Sequence, residues 1–299
     1  MAMVRLTSIL CPVDLSDGSR HALDHALALA RSYHARLTVM EVSWPLVPPP
    51  ADPAAAGMFP APIATAADIE ELKEGLRLFA ARGTETGVAM DLQVREGAVV
   101  PGILHEAHRI GADLIVLGTH GRSGFDRLLL GSVTEKILRK AACAVMTVPP
   151  ADRTEAPART RRTIVCGVDF SPLASRAVDY ALSLAQEHQA RLLLIHVIEW
   201  PPERTMSSSE EREVDAMRAA ARRSLHALVP DEARAWCETE EVATLGRPHE
   251  EIVRTARERD ADLIVMGVHG RSALNVALFG STANQVVRHA TCPVVTVRS

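Results

Sequence analysis

The chain has 299 residues, a length for two domains at about 150 residues each; it is 47% hydrophobic and 23% charged, with a formal net charge of -4 and a pI near 6.3. That balance excludes a disordered, collagenous or fibrous chain, and the lack of a basic excess excludes a bulk nucleic-acid binder. Aromatics at 3% offer no stacking platform for single strands, and apolar runs such as Leu192 to Val197 are far too short to span a bilayer.

Only Lys73, Lys136 and Lys140 among the 33 basic residues are lysines, so any phosphate contact must rely on arginine or backbone amides. Met1 to Val13 holds one Arg and no small-residue cleavage site, so no secretory signal is expected. Cys11, Cys143, Cys166, Cys237 and Cys292 form no CxxC pair, which suits a reducing cytoplasm and supplies no metal framework. The expectation is a soluble cytoplasmic protein of two domains.

In chain order, Ser8 to Val13 is a short apolar strand ending in Asp14, and Ser16 is placed to cap a helix whose apolar face is Leu23, Ala26, Leu27 and Ala30. Leu37 to Val42 is a second strand. A Pro-rich stretch, Trp44 to Pro62, follows and reads as a loop with polyproline character. Ala67 to Ala81 has helical periodicity, Val88 to Val94 alternates like a strand, and Val100 to Arg109 is again helical. Leu114 to Leu117 is a wholly apolar strand, Ser132 to Lys140 a helix, and Ala144 to Val148 a closing strand.

The order then repeats. Ala112 to Ser123, ADLIVLGTHGRS, returns as Ala261 to Ser272, ADLIVMGVHGRS, with ten of twelve positions identical at an offset of 149. Cys11-Pro-Val-Asp-Leu-Ser16 returns as Cys166-Gly-Val-Asp-Phe-Ser171 at an offset of 155. The second set of strands is expected near Thr163–Val168, Arg191–Val197, Trp236–Val242, Leu263–Met266 and Pro293–Val297. Continuous apolar strands separated by helices imply parallel strands covered on both faces. Each half is therefore an α/β domain, a doubly wound five-stranded parallel sheet. The boundaries are 1–150 and 162–299, with 151–161 as a linker rich in Ala, Arg and Pro.

In such sheets ligands sit at the carboxyl ends of the strands, and the unusual residues gather there. Gly118-Thr-His-Gly121 follows the fourth strand, with Gly131-Ser132 opening a helix nine residues later; Gly267-Val-His-Gly270 and Gly280-Ser281 repeat the pattern. Glycines let a backbone come close to a ligand, and loop and helix-start N–H groups make an anion cradle. Ser132 and Ser281 are expected to cap their helices and to offer hydroxyls to a phosphate. Arg122 and Arg271 stand beside the loop as a charged clamp. A bare G-x-x-G serves equally well for a tight turn, and it is the duplication after a strand and before a helix that favours phosphate.

G-x2-G-x9-G-[S/T], paired with an Asp closing the first strand, resembles the ATP-binding branch of the universal stress protein family, in a tandem form covering nearly all of both halves. The resemblance implies a Rossmann-like fold of the adenine nucleotide alpha hydrolase kind, packed as an intramolecular pseudo-dimer through Ala144–Val148 and Pro293–Val297. It implies ATP, with or without Mg2+, one nucleotide per domain, and a regulatory role in the stress response. Asp14 and Asp169 would face the nucleoside. Pro12 matches the family proline before that Asp, and Gly167 departs from it. Val42 and Val197 would line the base. Gly118, Gly121, Gly131, Ser132 and the amide of Val133 would hold one set of phosphates; Gly267, Gly270, Gly280, Ser281 and Thr282 would hold the other. Gly97 and Gly246 would border the ribose.

Other signals carry less. There is no Walker A sequence and no lysine in the second half. His120 and His269 have no nucleophile or orienting carboxylate fixed near them by sequence, and His105 with His108 lacks a third metal ligand. Cys11 and Cys166, like Cys143 and Cys292, read as inert thiols in or beside strands. Without a water-positioning carboxylate or arginine finger, the expectation is a nucleotide-dependent regulator with a protein partner of unknown identity, binding neither nucleic acid nor membrane. A slow ATPase and an interaction protein that uses no nucleotide remain as alternatives, and association of whole chains into a homodimer is left open.

Overall fold

In the computed structural model, residues 5–43, 66–84, 87–120, 130–150, 162–200, 208–268 and 279–298 are described. The Pro-rich stretch from Trp44, the linker Arg153 to Arg161, and Gly121, Arg122, His269, Gly270 and Arg271 lie outside them.

The first half runs β1 (Ser8–Val13), α1 (Asp17–Tyr33), β2 (Arg36–Ser43), α2 (Ala66–Thr84), β3 (Met90–Glu96), α3 (Val99–Arg109), β4 (Leu114–Gly118), α4 (Ser132–Lys140) and β5 (Ala144–Val148). The second runs β6 (Thr163–Gly167), α5 (Pro172–His188), β7 (Arg191–Glu199), α6 (Ser208–Ala227), a short α7 (Asp231–Arg234), β8 (Thr239–Gly246), α8 (Pro248–Glu258), β9 (Leu263–Gly267), α9 (Ser281–His289) and β10 (Val294–Val297).

Each half is parallel throughout, and the two join edge to edge into one ten-stranded sheet ordered β3-β2-β1-β4-β5-β10-β9-β6-β7-β8. Its one antiparallel pairing is the seam between β5 and β10, with Val295 opposite Met146. Thr147 and Thr296, both fully buried, donate across that seam to the carbonyls of Val294 and Val145 at 3.3 and 3.2 Å. Joining the last strands removes two edges that would otherwise invite foreign pairing, and it makes the halves the pseudo-dimer that the resemblance implies.

The strands are apolar on both faces because both faces are covered. Along β4, Leu114 and Val116 enter the core beneath α1, α2, α5 and α6, while Ile115 and Leu117 enter the core beneath α3, α4, α8 and α9. Each core layer runs across the seam, so the halves share both.

Several boundaries differ from expectation, two of them for a reason the pairing makes plain. The third strand of the second half begins at Thr239 rather than Trp236, because α7 precedes it and the N–H groups of Trp236 and Cys237 bond back to Ala233 O at 3.2 and 2.9 Å. In the first half, β3 is displaced to Met90–Glu96, since it pairs with β2 from Leu37 through Ser43. In both places the partner strand decides where the ladder lies, which local pattern does not report.

Candidate functional site

β1 and β6 end in the same constrained turn. Ser16 donates to Asp14 Oδ1 through its N–H at 3.1 Å and its hydroxyl at 2.5 Å, and Ser171 N–H donates to Asp169 Oδ1 at 3.0 Å. The residue between, Leu15 or Phe170, takes φ of 62° or 61°, a left-handed conformation costly for a bulky side chain. The two aspartates therefore hold this turn whatever else they contact. The following helices are capped as expected: Ser16 Oγ accepts from Ser19 N–H and Ser171 Oγ from Ala174 N–H, both at 3.2 Å.

α4 and α9 begin differently, and the expected caps from Ser132 and Ser281 are not found. Gly131 and Gly280 are the N-cap residues, with no side-chain cap, and the serines stand one place inside the helix. The cause is a backbone bond: Gly131 N–H donates to Thr119 O at 2.8 Å and Gly280 N–H to Val268 O at 3.0 Å, fixing each glycine just ahead of the first turn. The first helical bonds are Glu135 N–H to Gly131 O and Asn284 N–H to Gly280 O. The N–H groups of Ser132, Val133 and Thr134, and their counterparts in α9, precede these bonds and have no partner within the helix. The amides offered to an anion are thus those of Ser132 and Val133; that of Gly131 is already engaged.

Space is tight where β4 leaves the sheet, and tightest at Gly18. A Cβ on Gly118 would lie 3.1 Å from Gly18 O, one on Gly131 3.2 Å from Thr119 O, and one on Gly18 2.8 Å from His120 O. Thr134 Oγ1 donates to Gly118 O at 2.8 Å, and Thr119 Oγ1 lies 2.9 Å from His120 Nδ1. The threonine hydroxyl thus orients the histidine ring.

Around these groups lies a cavity of about 330 Å³, near the lower end of small-molecule sites at about 300–1,000 Å³. Pro12, Asp14, Val42, Gly118, Gly131, Ser132 and Val133, all singled out by sequence, line it together. Sequence reading missed Met40, Val99, Ile103 and Leu117, which make it largely apolar, and Ser19 and Thr134, which add polar groups; His120, weighed in the sequence only as a catalytic base, lines it as well. Gly18 was missed too. A sequence signal for it exists, a glycine directly after the capping serine and Asp17, but its reason is a contact with a strand a hundred residues away.

Gly97 does not line this cavity. It takes φ of 124° and donates its N–H to Ser43 O at 3.0 Å, so it serves the turn that leaves β3. Gly246, at φ of 141°, does the same after β8, with Trp200 N–H on its carbonyl at 3.3 Å. In the second half Asp169, Val197, Gly267, Gly280, Ser281 and Thr282 occupy the positions equivalent to those of the first-half site, at the ends of β6, β7 and β9 and the start of α9. At Gly167 a Cβ would lie 3.2 Å from Ile252 Cδ1. His196 Nδ1 lies 2.7 Å from Val168 O, and its ring packs on Phe170 at 4.6 Å.

The five cysteines form no disulfide. Burial pushes the Cys11 and Cys166 thiols far above the usual range, Cys143 up to about 11 and Cys292 up to about 12. Thiols so protonated are poor nucleophiles. Among the described residues no His, Cys, Asp and Glu group is arranged for a metal, and no helix is long and apolar enough to cross a membrane.

A crevice at the carboxyl edge of a parallel sheet, framed by a glycine turn and an uncapped helix start, defines a tandem doubly wound protein of the Rossmann-like type. Residues 6–149 and 160–298 each match the model described as the Universal stress protein family, and the chain belongs to that family. Universal stress protein Rv2005c of Mycobacterium tuberculosis is 30% identical over 194 residues, which are 62% of this chain and 62% of that relative's length. A universal stress protein of Mycolicibacterium smegmatis is 26% identical over 304 residues, covering 97% of this chain and 96% of that one. The crystal structure of a universal stress protein from Archaeoglobus fulgidus has the same fold, with a TM-score of 0.67 at 23% identity over 98% of this chain and 97% of that chain.

Proposed function

We propose that this universal stress protein binds an adenine nucleotide, ATP with or without Mg2+, in each half, and acts as a nucleotide-dependent regulator of the stress response in the cytoplasm. The two units that bind are 1–150 and 162–299. The observation that carries the reading is the first-half cavity, in which an apolar lining adjoins the N–H groups of an uncapped helix. An apolar wall accepts a base, and helix-start amides with their local positive field accept phosphates. Asp14 and Val42 lie where they would meet the nucleoside, and Gly118, Ser132 and Val133 where they would meet the phosphates. Gly121 with Arg122, and Gly270 with Arg271, complete the two cradles in this reading.

Binding to the folded chain alone raises stability in proportion to the logarithm of ligand over dissociation constant. Millimolar ATP should therefore raise the Tm, and a chain carrying both Gly121→Arg and Gly270→Arg should lose that rise. An unchanged melting curve, with and without Mg2+, would refute nucleotide binding.

A further inference from the structure

We infer that the two halves load nucleotide unequally: the first is the tight site because Gly18 and Thr134 shape it, and the second is weak because Leu173 and Ala283 stand in their places. This rests on the nucleotide reading above and goes beyond it in ranking the sites.

The argument begins with a close passage of two backbones. The first turn of α1 and the strand leaving β4 approach so closely that a Cβ on Gly18 would come within 2.8 Å of His120 O. Real Cβ atoms do not approach a carbonyl oxygen that closely, and neither backbone can yield without moving a helix or a central strand. At the offset of 155, the residue equivalent to Gly18 is Leu173. It carries a Cβ, and the two backbones stand slightly further apart there: a Cβ on Gly267 would lie 3.4 and 3.5 Å from the backbone C and O of Leu173, against 3.2 and 3.1 Å for Gly118 over Gly18, with Leu173 Cβ itself filling the gap at 3.2 Å.

The second difference is in what anchors the glycine turn. Thr134 Oγ1 donates to Gly118 O at 2.8 Å, tying the end of β4 to the opening turn of α4. Its counterpart Ala283 has no hydroxyl. Thr119, which holds the His120 ring, has Val268 as its counterpart, and Ser19, which lines the cavity, has Ala174. A cradle already held in shape loses less freedom on binding than one that the ligand must order. The first half has that pre-organisation built from side chains that the second half lacks.

The test is native mass spectrometry of the full chain titrated with a non-hydrolysable ATP analogue, counting nucleotides per chain. One nucleotide should load first, and the second should need about tenfold more analogue or beyond. Gly18→Leu, which installs the second half's residue, should remove the first step and leave the second. Leu173→Gly combined with Ala283→Thr should bring the second step to within about threefold of the first. Should Gly18→Leu fail to fold, Thr134→Ala serves instead, shifting the first step by about threefold or more and sparing the second. Two equal steps in the unaltered chain would overturn the inference while leaving nucleotide binding intact, as would a Thr134→Ala change confined to the second step. No uptake at any concentration would overturn the nucleotide reading itself, and the ranking with it.

Discussion

The two halves repeat one backbone plan while differing in the side chains packed closest to it. Both turn sharply after an Asp with a bulky residue at positive φ, cap the next helix with serine, and open the last helix on glycine. The differences are pairs at matched positions: Pro12 and Gly167, Gly18 and Leu173, Thr134 and Ala283, His25 and Tyr180. Duplication kept what the backbone needs, and divergence worked on what fills the space beside it. A shared motif thus establishes a shared frame without establishing equal sites.

The largest expected effect tests the pair His25 and Tyr180. His25 of α1 and His188 of α5 line a second hollow, between the halves, together with Arg162, Asp24 and Asp262. Arg162 Nη1 lies 3.3 Å from His188 Nδ1. Burial first, then His21 and Arg162, lowers the His25 pKa to about 4, and burial likewise lowers that of His188. Between about pH 6.5 and 4 the folded chain holds fewer protons here than the unfolded one, so stability falls as pH is lowered through that window, by up to about 3 kcal/mol for His25. Tyr180, its counterpart, does not titrate there. His25→Tyr should therefore flatten the urea midpoint between pH 7 and about 4.5 relative to the unaltered chain; an unaltered slope would break this contrast.

Next in size is the glycine after the fourth strand. Gly118→Val should cost on the order of 2–3 kcal/mol, because its Cβ meets the backbone of Gly18. Gly267→Val should cost somewhat less, because its Cβ meets the backbone of Leu173 at 3.4 and 3.5 Å, against 3.2 and 3.1 Å for Gly118 over Gly18. Equal urea midpoints for the two variants would show that the close passage does not distinguish the halves.

The smallest effects separate the two kinds of helix start. Ser16→Ala removes a cap and should lower stability by about 1 kcal/mol, as should Ser171→Ala. Ser132→Ala removes no cap and should change stability by less than about 0.5 kcal/mol, while weakening nucleotide uptake measured by calorimetry. A loss at Ser132 as large as that at Ser16 would mean that the helix depends on its hydroxyl after all.

The repeat, the alternation of strands and helices, and the glycine-serine openings were legible because they rest on local pattern and spacing. Ser132 as a cap was misread for a local reason: a serine beside a glycine has the right composition for either position, and the bond from Gly131 N–H to Thr119 O decides between them. Met40, Ile103 and Leu117 looked like ordinary core residues, and they line the cavity only because β2, α3 and β4 converge there.

By itself the sequence determined a chain of two like α/β halves with a glycine-serine helix opening in each, since apolar periodicity, turn residues and duplication act over a few neighbours at a time. The tertiary structure alone decided that β5 and β10 fuse the halves into one sheet, which helix amides stay unengaged, and that Gly18 must be glycine. Each of those depends on groups brought within 3 or 4 Å from distant parts of the chain, and contact at that range is set by packing, which no local window contains.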